Sequence, residues 1–82
     1  SEEGKEVSNF NVTVVNSVTV TITSKGSGTV TAYAAAEDGT KTKLASVSDG
    51  TTTKTVDLES GNYQLLLYVS DGTGYSWSYE LG

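Results

Sequence analysis

Residues 17–33 read SVTVTITSKGSGTVTAY. Apolar and polar side chains alternate strictly from Val18 to Thr23. Val18, Val20 and Ile22 therefore share one face of a strand, and Thr19, Thr21 and Thr23 the other. The segment SKGSG, residues 24–28, reads as a turn, because Ser and Gly accept tight backbone geometry. Beyond it Val30, Ala32 and Ala34 again oppose Thr31, Tyr33 and Ala35. This is the pattern of half-buried strands with the apolar face inward.

The same alternation recurs on both sides of this stretch. FNVTVVN places Phe10, Val12 and Val14 on one face. TKTKLASVSDG is weak and Lys-rich, the composition of an edge strand on which Lys blocks stray pairing. TTTKTVDLES offers Val56 and Leu58, and NYQLLLYVSDG and YSWSYEL complete seven strands. The alanines of AYAAAED favour helix, but TVTAY runs into them and EDGT closes them as a turn, so a strand is expected. Asp-Gly pairs at 38–39, 49–50 and 71–72, each between apolar runs, are strong hairpin signals, and Asn16-Ser17 supplies another turn. Strands at this spacing predict an all-β protein of seven antiparallel strands, a sandwich or small barrel, in preference to a parallel sheet. The division is a flexible N-terminal segment, residues 1–6 (SEEGKE), and a single domain over residues 7–82.

Composition excludes much. The 82 residues include no Cys and no His, so neither disulfides, thiolate chemistry nor the commonest general base and metal ligand are available. Five Lys, no Arg and ten carboxylates give a net charge of −5, which argues against nucleic acid as a partner. Apolar runs of about five residues fall far short of the roughly 20 that span a bilayer, so no membrane partner is expected either. The start at Ser1, without Met or a signal peptide, reads as a trimmed or processed end. Proline is absent where ordinary usage would place about four. Together with the missing Cys, Met and His, this points to a designed sequence. The Ser/Thr/Asn-rich surface points instead to a natural, extracellular or cell-surface module, since designs load exposed positions with Lys and Glu. Both origins stay open.

The stretch DLESGNYQLLLYVSDGTGYS, residues 57–76, resembles the E–F corner and F strand of fibronectin type III and related bacterial immunoglobulin-like domains. Leu58, Gly61 and Tyr63 carry the resemblance. It implies that Tyr63 is a tyrosine-corner residue whose hydroxyl bonds upstream backbone, and that the last strand lies beside the F strand. Two departures stand: the second strand lacks the Trp usual in fibronectin type III, and the corner is one residue shorter. Such sandwiches host many unrelated roles, so the resemblance speaks to fold and not to activity.

Candidate chemistry is sparse. Asp38, Asp49 and Asp71 could supply loop carboxylates to Ca²⁺, but each sits in an Asp-Gly turn and no D-x-D-x-D-G spacing occurs. An isopeptide from Lys5, Lys25 or Lys54 would need burial that their polar surroundings do not offer. NVT at Asn11 is a glycosylation sequon by pattern. Ser60, Ser76 and Ser78 have no base to activate them. The chain reads as non-catalytic, with no cofactor and no metal.

The aromatic residues remain. Tyr63, Leu65, Leu67 and Val69 are expected inward, and Tyr75, Trp77, Tyr79 and Leu81 are expected inward as well, covering small Ala32 and Ala34. Leu66 and Tyr68 then fall on the outer face, partly exposed, with Tyr33 beside them. These three form a candidate surface for a protein partner or self-association. Two roles follow: a structural module or scaffold, or an adhesion and interaction module acting through that face or the loops.

Overall fold

The computed structural model describes residues 4–70 and 73–82, and their regular elements are all β-strands. They are β1 (Lys5–Val14), β2 (Ser17–Ala36), β3 (Lys41–Asp57), β4 (Gly61–Val69) and β5 (Tyr75–Leu81). The pairings are antiparallel, in the order β1-β4-β2-β3, with β5 also paired to β2. β1 already includes Lys5 and Glu6, which the sequence assigns to a flexible N-terminal segment. The alanine run Ala34–Ala36 lies in β2, as the flanking Thr and Tyr residues predict.

Where the sequence divides into seven runs, the described residues form five strands, because two expected turns lie inside longer strands. SKGSG falls within the 20 residues of β2, and Asp49-Gly50 within the 17 of β3. Straight strands of these lengths would extend about 66 and 56 Å at ~3.3 Å per residue. The longest dimension of the molecule is 35 Å, so both strands double back. The ladder between them marks the place. Ser24 pairs with Gly50 and Thr29 with Ser48, leaving Lys25 to Gly28 on β2 against Asp49 alone on β3. On the β3 side, Asp49 (φ 61°) and Gly50 (φ 142°) provide the left-handed backbone that turns the strand back.

On the β2 side the bend is fastened to the segment after β4. The Thr29 amide donates to Ser70 Oγ (2.7 Å), the Ser70 amide donates to the Thr29 carbonyl (3.0 Å), and the Lys25 amide donates to the Gly74 carbonyl (2.9 Å). Ser24, buried in the bend, donates its hydroxyl to the Gly28 carbonyl at 2.8 Å. A Cβ on Gly28 would meet the hydroxyls of Ser70 and Thr73, so this position has no room for a side chain.

The first half of β2 (17–24) pairs with the second half of β3 and with β5; its second half (29–36) pairs with the first half of β3 and with β4. Both halves feed one core. Val18, Val20 and Ile22 cluster with Val30, Ala32, Ala34, Leu65, Leu67 and Val69, all as the alternation predicts. Each small alanine lies opposite a large leucine in the ladder, Ala32 to Leu67 and Ala34 to Leu65. On the other face of the first half, Thr19, Thr21 and Thr23 pair hydroxyl to hydroxyl with Thr55, Thr53 and Thr51 at 2.9–3.1 Å.

The terminal strands depart from the expected arrangement. The resemblance places β5 beside β4; instead β1 occupies that position and β5 pairs with the first half of β2. Trp77, Tyr79 and Leu81 do point to the core side, opposite Ile22, Val20 and Val18, but they do not cover Ala32 and Ala34. Trp77 alone is half-buried against the core, and Tyr75, Tyr79 and Leu81 remain exposed because β5 is an edge strand. Phe10 of β1, also exposed, meets Trp77 and Tyr79 at ring-centroid distances of 5.8 and 5.9 Å.

Two outcomes test this description. Gly28→Ala should cost about 1–3 kcal/mol, the usual result of forcing extra volume into a filled site, read as a lower denaturation midpoint at unchanged slope. Asp38 closes the β2–β3 turn by accepting the Thr40 amide at 2.9 Å. That backbone bond, with the Thr40 hydroxyl second, holds its carboxyl below the ordinary aspartate range. Its stabilising contribution is complete above the ordinary carboxylate pKa and is lost as pH falls through the lowered folded value. Comparing wild type with Asp38→Ala, the difference in stability should therefore shrink on acidification, as followed by thermal melts between pH 6 and about pH 2.5.

Candidate functional site

Period-two geometry and the register put Tyr33, Leu66 and Tyr68 on one outward face. Leu66 lies between Asn9 of β1 and Tyr33 of β2, and Tyr68 between Glu6 and Thr31. The two tyrosine rings meet edge to face, centroids 5.7 Å apart and planes at 86°. Lys41, arriving from β3, lies 5.3 Å from the Tyr68 ring centroid and 5.9 Å from that of Tyr33. Its Nζ donates to the Tyr68 hydroxyl (3.3 Å), which donates onward to Glu6 Oε1 (3.5 Å).

Leu66 is not partly exposed, as alternation expects, but 4% exposed. The reason is position. β4 has a strand on each side, so Leu66 is hemmed by Asn9 and Tyr33 across the ladders and by Gln64 and Tyr68 along its own strand. Leu65, Leu66 and Leu67 are consecutive and all buried, so β4 is covered on both faces. Lys41 and Glu6, which close over Tyr68, carry no signal in the sequence beyond charge, since their approach depends on strand order.

The corner residues sit at the start of the same strand. The Tyr63 hydroxyl donates to the Glu59 carbonyl oxygen, four residues upstream, at 2.8 Å. Leu58 packs against the core, and its amide donates to the Asn16 carbonyl at 3.1 Å. Gly61 begins β4 opposite Val14.

The remaining candidates are scattered. Asp38 sits in the turn before β3 and Asp49 at its bend, eight residues beyond Lys41 and on the order of 25 Å along the strand. Asp71 and its turn lie outside the described residues. Among the described residues no three carboxylates come together in a way that could hold a metal ion. Lys5, Lys25 and Lys54 are exposed, as are Asn11, Ser60, Ser76 and Ser78.

One feature went unread in the sequence. Past Leu66, toward the start of β4, the outward face drops into a groove of about 670 Å³ between β1, β4 and the end of β2. Its walls carry Asn11, Asn62 and Gln64. The groove exists only because β1 lies beside β4, which strand-by-strand reading does not supply. No protein-family model matches the chain, and no curated protein or solved structure matches it either.

If both faces of β4 are buried, Leu66→Ala and Leu67→Ala should be comparably destabilising, each by about 2–4 kcal/mol in urea denaturation. Tyr63→Phe, which leaves the Glu59 carbonyl to solvent, should cost about 0.5–1.5 kcal/mol by the same measurement.

Proposed function

We propose that this chain is a non-catalytic, immunoglobulin-like β-sandwich whose role is structural, a spacer in a secreted chain or a designed scaffold. Several observations support the sandwich. Strands too long for the molecule double back at Ser24–Thr29 and Asp49–Gly50, and their two halves contribute to one core. Division of β2 and β3 at those bends yields seven segments, with the Tyr63–Glu59 hydrogen bond at the corner. The exchange of β1 and β5 sets the arrangement apart from fibronectin type III.

The observation that carries the structural role is the closure of the aromatic group on itself. Leu66 is covered, the rings of Tyr33 and Tyr68 contact each other, and the Tyr68 hydroxyl is engaged by Lys41 and Glu6. A surface kept for a partner would leave such anchors open, since binding energy concentrates in residues that become desolvated on contact. Cross-strand packing of this kind instead stabilises the sheet itself. On this reading the protein is monomeric at high concentration. Tyr68→Ser then lowers stability by about 1–2 kcal/mol and leaves sedimentation unchanged. Concentration-dependent association of the wild type that Tyr68→Ser abolishes would replace this role with adhesion through the outer face.

A further inference from the structure

The groove beside β1 and β4 has no part in the structural role, and its lining is chemically specific. Register fixes which groups face it. Asn11, Gln64 and Ala35 form one row across β1, β4 and β2, and Thr13 and Asn62 form the next row on the same face. Along β2 the outward side chain shrinks from Tyr33 to Ala35, and this step makes the depression. Three carboxamides share the lining with Tyr63 and the apolar Val12, Ala35 and Ala36, and Glu37, just beyond β2, brings a carboxylate. Thr13 Oγ1 donates to Asn62 Oδ1 at 3.0 Å, which leaves the Asn62 amino group directed to further acceptors.

This donor and acceptor set excludes most ligand classes. No Lys lines the groove, and Glu37 with a net charge of −5 repels anions, so phosphates, nucleotides and organic acids are disfavoured. Walls of primary amides do not suit a hydrocarbon chain, whose burial would strip them of water without replacement. Carboxamides that donate and accept at adjacent atoms, beside a carboxylate that only accepts, match neighbouring hydroxyl groups, each of which is donor and acceptor at once. The apolar part of the lining, Val12, Ala35 and Ala36, suits a C–H face. The volume lies within the range of small-ligand sites, roughly 300–1,000 Å³. We infer that the groove binds a neutral pyranose sugar, with Gln64, Asn11 and Asn62 engaging vicinal hydroxyls and Glu37 accepting a charge-assisted hydrogen bond. The sugar's source is either a free monosaccharide or an exposed unit of a glycan.

The test is a two-dimensional NMR titration of the full ¹⁵N-labelled chain. The probes are glucose, galactose, mannose and N-acetylglucosamine, their β-linked disaccharides, and glucose 6-phosphate as an anionic control. A neutral sugar should produce saturable shifts confined to residues 11–13, 35–37 and 62–64, and the phosphate should not. Glu37→Gln and Gln64→Ala, both at exposed positions, should each weaken that binding about tenfold, the loss of one good hydrogen bond, with unchanged urea midpoints. Tighter binding of a disaccharide than of its monosaccharide assigns the site to a glycan chain; equal binding assigns it to the free sugar. The inference is overturned if no neutral sugar gives saturable shifts, or if the shifts survive both substitutions. Stronger binding of the phosphate would overturn it as well. None of these results bears on the monomeric, structural role, which sedimentation and Tyr68→Ser test separately.

Discussion

The bend of β2 between Ser24 and Thr29 decides whether the other strands can pair at all. One strand supplies the centre of both halves, so a single set of registers must satisfy β3 twice, β4 and β5. The bend is where this could fail, because four residues leave the ladder there and their polar groups need other partners. The Ser24 hydroxyl serves the Gly28 carbonyl and the Gly74 carbonyl the Lys25 amide, while Ser70 holds Thr29 where the ladder resumes. Gly28 allows the two segments to approach, and Asp49 with Gly50 makes the matching turn in β3. A loss of either hydroxyl would strand a backbone group near the core, which costs more than the bond itself contributes.

The core that results is made of small and medium side chains. Its largest fully buried members are Ile22, Leu65 and Leu67, and no aromatic ring is among them. The aromatic residues gather at the rim: Phe10, Trp77 and Tyr79 where β1 and β5 approach, and Tyr33 and Tyr68 on the outer face. In a chain of 82 residues without disulfides, such peripheral packing supplements an interior that has little volume to offer.

The alternation of residues 17–24 and 29–36 was sufficient to identify the strands and their inward faces, because burial on one side leaves a period of two in the sequence. Asp38-Gly39 was legible as a turn for a local reason, the Asx contact to Thr40. Asp49-Gly50 carries the same dipeptide but bends a strand, and the difference lies in what its neighbours pair with, not in the dipeptide. Strand order was beyond local reading for the same reason. The resemblance placed β5 beside β4, whereas Phe10, Val12 and Val14 of β1 pair there with Leu65, Tyr63 and Gly61. Each miss about the outer face descends from that one. Leu66 is covered because β4 is an interior strand, and the amide-lined groove arises because Asn11 lies opposite Gln64.

The exchange of the terminal strands also bears on how the molecule would carry load. Lys5 pairs with Val69, which pairs with Val30 beside the bend, while Leu81 pairs with Val18 at the far end of β2's first half. Tension applied through the two ends of the chain therefore runs along β1 against β4 and along β5 against β2. Antiparallel ladder bonds lie perpendicular to the strands, so this direction shears many of them at once and does not open them one by one. Rupture under force is governed by the unfolding rate and not by equilibrium stability. A domain so tied at both ends resists extension more than its modest core would suggest.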